Sequence, residues 1–295
     1  MDFKALGIPK AQWVEGNILR GNKLAQEIRK IIKEKISSAS QKPGLAVILV
    51  GENPASVIYV NQKEKAAREV GFHSQVLRLP SNTTENEILS LIQELNDNPL
   101  IHAILVQLPL PPHLHEEKIL QSILPQKDVD GFHYENVGKL YAKNPTARIP
   151  CTPLGIFVML SLLEIPLVGL HAVVLGRSRI VGKPMAQLLL DYCNTTVTMC
   201  HSKTKHLDKI ISSADILVSA MGQQDVVKSN WVKEGAIIID VGIHRKEGKL
   251  EGDLNFEELC PKASYITPVP GGVGPMTIAM LLWNTLQNFH ELYGL

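Results

Sequence analysis

No stretch of the chain approaches the ~20 consecutive apolar residues that a membrane-crossing helix needs. Nor does the opening MDFKALGIPKAQWVEGNIL hold an uninterrupted apolar segment behind a basic start. No membrane partner and a cytoplasmic location are therefore expected. Cysteine is scarce: Cys151, Cys193, Cys200 and Cys260 stand apart, with neither metal-ligand pairing nor a dense disulfide spacing, which suits free thiols in a reducing compartment. The 10 histidines form no HExxH or comparable pair, so no metal is expected. Charge of one sign is also lacking, because 30 basic residues face 29 acidic ones. Without a global field, nucleic acid is not an expected partner and charge must act inside pockets. Repeats and low-complexity tracts are absent.

What is present is a chain of 295 residues with 45% apolar content, long for one core and comfortable for two. From Gly21 to Ala39, apolar residues recur at helical spacing against lysines and glutamates. The run LAVILV (Leu45 to Val50) lies between Pro43-Gly44 and Gly51 and reads as a strand buried on both faces. A helix follows, capped by Asn53, with Pro54 in its first turn and Gly71 as its stop. Gln75 to Leu79 reads as strand, Thr84 to Leu95 as a helix with a Thr84/Glu87 capping box, and Ala103 to Gln107 as another buried strand. This alternation predicts a parallel sheet with helical crossovers.

Prolines and polar residues break the rhythm at KNPTARIPCTP (Lys143 to Pro153), where the main linker is expected. Strands at Ala172 to Leu175, Thr196 to Met199, Ile216 to Val218 and Ala236 to Asp240 make a second α/β run, and a helix is expected from Thr277 to Phe289. The strand HAVVLG enters GRSRIVGKPM, and Pro184 stands where a helix would begin, an arrangement that lets backbone N–H groups and the helix dipole hold a pyrophosphate. Ser178 replaces the second glycine of G-x-G-x-x-G and Gly182 comes one position late, so an ordinary strand–turn–helix corner fits as well. The next strand ends in His201, Ser202 and Lys203 rather than the carboxylate usual for NAD. With Arg177, this suits the 2′-phosphate of NADP, unless these residues are merely solvated charges.

Tyr59 and Lys63 lie at i and i+4 on a predicted helix and share one face. Taken alone, such a pair more often packs and solvates. Gln107 ends the strand AILVQ ahead of LPLPP, and Lys127-Asp128-Val129-Asp130-Gly131 makes a charged loop. A glutamine can simply satisfy backbone and aspartates can simply make turns, yet both features fall where an open α/β sheet binds ligands.

In order along the chain, YVNQK (Tyr59 to Lys63), VQLPLP (Val106 to Pro111), KDVDG, PCTP (Pro150 to Pro153), GRSRIVGKP and ITPVPGGVGPMT (Ile266 to Thr277) resemble the motifs of the bifunctional methylenetetrahydrofolate dehydrogenase/cyclohydrolases. The resemblance covers nearly the whole chain, and the last Pro/Gly run is its most specific part. It implies an α/β fold of two lobes, each a mainly parallel sheet with flanking helices, the second a Rossmann-like NADP domain. Residues 1–149, joined by the C-terminal helix 276–295, would form the catalytic folate-binding domain, and 150–275 the NADP-binding domain. Folate would lie in the cleft, and a homodimer through the nucleotide domain is implied. Lys63 would be the catalytic lysine, Tyr59 would position the pterin and that lysine, Gln107 would be the lysine's polar partner, and Asp130 would bind the pterin ring. Val106 and Leu108 would also meet folate, as would Pro270, Gly271, Gly272, Val273 and Gly274. Gly176, Arg177, Ser178, Ser202 and Ile243 would line NADP.

The implied reactions are oxidation of 5,10-methylenetetrahydrofolate and hydrolysis of the methenyl product to 10-formyltetrahydrofolate. A dehydrogenase for another small substrate would not explain KDVDG together with PVPGGVGP. A catalytically silent dinucleotide-binding regulator would have little reason to keep Tyr59, Lys63, Gln107 and Asp130 together.

Overall fold

The computed structural model describes residues 3–246 and 248–293. The first elements are the short strands β1 (Val14–Glu15) and β2 (Ile18–Leu19), then α1 (Gly21–Lys35), β3 (Gly44–Val50), α2 (Pro54–Val70), β4 (His73–Leu79), α3 (Glu85–Asp97) and β5 (Ala103–Val106). Helices α4 (Glu116–Gln121), α5 (Tyr134–Tyr141) and α6 (Cys151–Ser161) follow. The alternation resumes with β6 (His171–Leu175), α7 (Gly182–Tyr192), β7 (Thr196–Cys200), α8 (Leu207–Ile211), β8 (Ile216–Ser219) and β9 (Ile237–Asp240). A hairpin of β10 (His244–Lys246) and β11 (Lys249–Glu251) precedes α9 (Phe256–Leu259), β12 (Tyr265–Ile266) and α10 (Val273–Tyr293).

The chain divides into two compact units, Ile28–Cys151 with Met280–Leu295, and Met1–Glu27 with Thr152–Ala279. In the unit that holds Lys63, β3 lies between β4 and β5, all parallel. Strand β3 is buried along its whole length, as a central strand covered on both faces must be. The cap signals act as read: the Asn53 side chain accepts from the Ala55 and Ser56 amides, Gly71 is left-handed, and the Thr84/Glu87 box closes in both directions. Ala46, Ile48, Ile88, Ile92, Ile104 and Ile119 are among the residues of the core between this sheet and α3 and α4.

His102, just before β5, is buried; its Nδ1 accepts the Gly44 N–H at 2.7 Å and its ring packs edge-on against Phe289. Burial pulls its pKa down to about 4, helped by Lys127 and His73. The native state therefore binds this proton less readily than the unfolded chain. His102 contributes stability that is complete above pH 6.5 and is lost as pH falls from 6.5 toward 4. The loss is about 3 kcal/mol. His102→Asn keeps an acceptor for Gly44 but cannot titrate, so the stability gap between wild type and variant in urea should shrink over that window. A gap that does not change with pH would show that the imidazole is not held neutral.

The other unit carries a seven-stranded sheet in the order β1-β2-β12-β9-β8-β6-β7, parallel from β2 through β7 with only β1 antiparallel to β2. Numbered from β6, its five main strands run 2-1-3-4-5, the doubly wound order whose switch point lies between the first and third. Val173, Leu175, Leu217, Ile238 and Ile266 build its core with Ile211 and Leu259. Two expectations differ here. Residues 1–27, read with the first lobe, group with this unit because Ile18 pairs in parallel with Ile266 and the Asn17 side chain donates to the Cys260 and Ala263 carbonyls. The expected linker ends in a helix, since α6 is almost wholly apolar and buried and so shows no amphipathic period, while Pro153 falls in a first turn that needs no N–H.

Candidate active site

Helix α2 presents Tyr59 and Lys63 at i and i+4 on one face. Gln107 leaves the carboxyl end of β5, fixed by its N–H to the Ile48 carbonyl at 2.9 Å, and its Oε1 accepts from the Lys63 ammonium at 2.9 Å. Its Nε2 is spent on the Leu108 carbonyl at 2.7 Å, so the carbonyl end of the amide is the one turned to the lysine. Asp130 lies close enough to Lys63 for each to act on the other's proton affinity. Burial pulls Lys63 below the ordinary lysine range, against the opposing pull of Asp130 and then Cys151. Burial likewise pushes Asp130 up to about 6, while Lys63 draws it down and Asp128 adds to the rise. Burial also raises the Tyr59 hydroxyl. Such opposed shifts in a lysine and a carboxylate are the usual mark of proton chemistry.

The other residues of these motifs divide by role. Lys127 donates to the carbonyls of Leu95, Asn96 and Asn98, closing the end of α3, and is structural. Asp128 accepts from the His133 N–H and the Asn136 amide. The Val106 side chain is in the apolar core and that of Leu108 packs partly against it, which leaves mainly their backbone for a ligand. One residue escaped the sequence reading: the Cys151 thiol, 3.6 Å from Asp130 Oδ1, is adjacent only in the fold.

In the second unit, the expected nucleotide residues all follow carboxyl ends of parallel strands, Gly176, Arg177 and Ser178 after β6, Ser202 after β7 and Ile243 after β9, and the residues Pro270 to Gly274, expected to meet folate, follow β12. Gly176 sits at the switch point with φ +114°, and a Cβ there would meet the Ala220 carbonyl oxygen at 2.4 Å. Only glycine fits both the backbone angle and the space. Arg177, Ser178, Ser202 and Lys203 are exposed around it, with no carboxylate in the Cys200–Thr204 turn.

One detail departs from the expected pyrophosphate cradle. Ser178 Oγ already accepts from the Val181 and Gly182 amides, its carbonyl accepts from Lys183, Pro184 has no N–H, and Met185 donates to Val181. The amides that open α7 are thus used internally, because the serine replacing glycine caps the helix; the dipole and the turn side chains remain for an anion. Helix α10 begins at Val273, earlier than expected, because Pro275 is tolerated in a first turn. Pro270 to Gly274 therefore form the end of a loop and the start of a helix in this unit, with Ile243 Cδ1 3.7 Å from where a Gly274 Cβ would lie.

Behind this surface two buried carboxylates fasten the loops. Asp240 accepts from the Gly242, Asp253 and Leu254 amides, and burial raises its pKa to about 6. Asp253 accepts from Ser219 Oγ, the Met221 and Gly222 amides and His244 Nε2.

Comparison with known proteins identifies the family. Residues 19–130 match the family model of the tetrahydrofolate dehydrogenase/cyclohydrolase catalytic domain, and residues 150–293 that of its NAD(P)-binding domain. The bifunctional protein FolD of Streptococcus uberis is 53% identical over 276 residues, spanning 92% of this chain and 96% of the relative. A crystal structure of the bifunctional FolD methylenetetrahydrofolate dehydrogenase/cyclohydrolase from Campylobacter jejuni is similar with a TM-score of 0.90 at 50% identity, covering 93% of this chain and 98% of that one. The Trypanosoma brucei enzyme, solved with NADP cofactor and inhibitor, gives 0.89 at 38% identity, covering 94% and 98%. With family models matched to residues 19–130 and 150–293 in order and a relative 53% identical over 92% of its length, the chain belongs to the tetrahydrofolate dehydrogenase/cyclohydrolase family.

Proposed function

We propose that the protein oxidises 5,10-methylenetetrahydrofolate to the 5,10-methenyl form with NADP and then hydrolyses that product to 10-formyltetrahydrofolate. The observation that carries this reading is the part-buried Lys63 ammonium, hydrogen-bonded to Gln107 beside a carboxylate whose pKa is raised. In this reading Ile28–Cys151 with Met280–Leu295 is the catalytic folate-binding unit, and the seven-stranded unit binds NADP. Bound NADP supplies a hydride acceptor. Loss of hydride leaves a cation stabilised by the adjoining nitrogen lone pair, so the protein needs no strong base for that step and contributes orientation and exclusion of water.

Hydrolysis does require proton movement. Water adds to the methenyl carbon and loses one proton; the C–N bond to one ring nitrogen then breaks as that nitrogen is protonated, and the remaining hydroxyl proton is released to solvent as the formyl C=O forms. Lys63, with its affinity for the proton lowered by burial, takes and returns it near neutrality. Gln107 Oε1 aims the amine, and Tyr59 holds the pterin on the same helix face. Asp130, ionised above about pH 6, accepts paired N–H groups from the aminopyrimidine. Val106 and Leu108 complete the folate contacts of this unit.

Arg177 and Ser202 bind the 2′-phosphate, Ser178 fixes the turn, and Gly176 and Ile243 meet the dinucleotide. Arg177→Ala should raise the Michaelis constant for NADP at least roughly tenfold more than that for NAD, a charge-assisted contact being worth about 1.5–3 kcal/mol. Equal effects on both cofactors would remove Arg177 from 2′-phosphate recognition. The protein works in the cytoplasm as a homodimer. The exposed edge strand β7, with Met199 39% and Leu190 of α7 50% exposed, supports pairing through the nucleotide unit. Sedimentation at micromolar concentration tests it.

A further inference from the structure

We propose that Asn284, on α10, is a positioning residue for Asp130, acting through the Val129 carbonyl and the Cys151 thiol. The proposal rests on the reading of Asp130 as the carboxylate that binds folate. Asn284 is 4% exposed, and its side-chain amide donates at 2.9 Å to both the Val129 and the Ile149 carbonyls, with Cys151 Sγ at 3.7 Å. Val129 precedes Asp130 and Ile149 lies two residues before Cys151, so one side chain rivets the two backbone segments that carry these groups.

The segments already touch. A Cβ on Gly131 would lie 2.4 Å from the Arg148 carbonyl oxygen, so small displacements of one segment are felt by the other. The Cys151 S–H lies 3.6 Å from both the Val129 carbonyl and Asp130 Oδ1. The thiol has one proton to share between these two acceptors, the Val129 carbonyl also has the Asn284 amide as a donor, and the bond to the carboxylate is the charge-assisted one. The groups that act on Asp130 are then Lys63 from α2, Asp128 from its own loop and Cys151 from the start of α6. Asn284 contacts the last of these and holds the carbonyl of Val129, the residue before Asp130. Removing the Cys151 hydrogen bond removes an interaction that favours the ionised carboxylate.

The test is a double-mutant cycle on tetrahydrofolate binding, measured by calorimetry with wild type, Asn284→Ala, Asp130→Asn and the double variant. The dissociation constant for NADP serves as the control for folding. Asn284→Ala should weaken tetrahydrofolate binding roughly tenfold in the wild-type background but less than about twofold in Asp130→Asn, leaving NADP binding unchanged. Equal losses in both backgrounds would overturn the proposal and make Asn284 a general packing residue. Unchanged binding in Asp130→Asn would instead overturn the reading of Asp130, and the proposal with it. A second measurement follows the pH at which tetrahydrofolate binding is half lost. Cys151→Ala should move that midpoint upward and Cys151→Ser should restore it, whereas a fixed midpoint counts against the thiol's part. If Asn284→Ala does not fold, Asn284→Ser, which keeps one donor, enters the same cycle under the same criteria.

Discussion

Lys63→Met leaves a protein that still reduces NADP with 5,10-methylenetetrahydrofolate but no longer turns the methenyl product over. Methionine keeps much of the length and all of the apolar stem of lysine, so α2 and its packing stand. What disappears is the one amine that Gln107 holds. A positioned acid–base group contributes about 10² to 10⁴ in rate, and that is the expected loss in hydrolysis. Hydride transfer has no such demand. Removing the ammonium also removes a charge that lowers the Asp130 pKa, so folate binding should weaken first on the acidic side, and the assay belongs well above pH 6. Methenyl absorbance that accumulates while reduced cofactor forms is the expected trace. Hydrolysis at the wild-type rate would take the proton-carrying role away from Lys63.

Asp253→Ala lowers stability by about 4 kcal/mol, the range for breaking a buried charged network by removing one partner. Its carboxylate is 2% exposed and accepts from Ser219 Oγ at 3.1 Å, the Met221 and Gly222 amides at 3.0 and 3.1 Å, and His244 Nε2 at 2.8 Å. Alanine leaves the buried Ser219 hydroxyl and the part-buried Met221 and Gly222 amides without that acceptor. The space cannot be refilled from nearby, since Gly242 and Gly252 already lie against the Asp253 and Asp240 carboxylates so closely that a Cβ would collide with them. Because Met221 and Gly222 form the turn after β8, beside the switch point at Gly176, NADP affinity should fall along with the urea midpoint. Asp253→Asn keeps an oxygen for those donors and should lose less than half as much. Equal losses in the two variants would mean that shape, rather than the acceptor, is what matters there.

The parts of the fold that were legible in the sequence are those set by local rules. LAVILV is apolar at every position and became the central strand β3. Asn53, Pro54 and Gly71 bounded α2 because capping and left-handed backbone depend on a few adjacent residues. The absence of a carboxylate after β7 was also legible, since it needs only the identity of one turn. Misreadings came where a segment's environment outweighs its pattern. Helix α6 is buried nearly all round, so it has no amphipathic period to detect. Ser178 looked like a damaged glycine motif until its hydroxyl was seen to cap α7.

By itself the sequence determined the alternation of strands and helices, the caps, and the order of motifs that marks the family, because propensity, periodicity and motif spacing act over a few residues at a time. Only the tertiary structure decided which distant groups meet. It brought Gln107 to Lys63 across 44 residues, Asp253 to Ser219 across 34, and Asn284 to Val129 across 155. It also decided that β1 and β2 add to the sheet of the nucleotide unit through the pairing of Ile18 with Ile266. Proton affinities belong to the same level. A lysine or an aspartate has its ordinary pKa in the chain, and only burial beside named neighbours moves Lys63 down and Asp130 up.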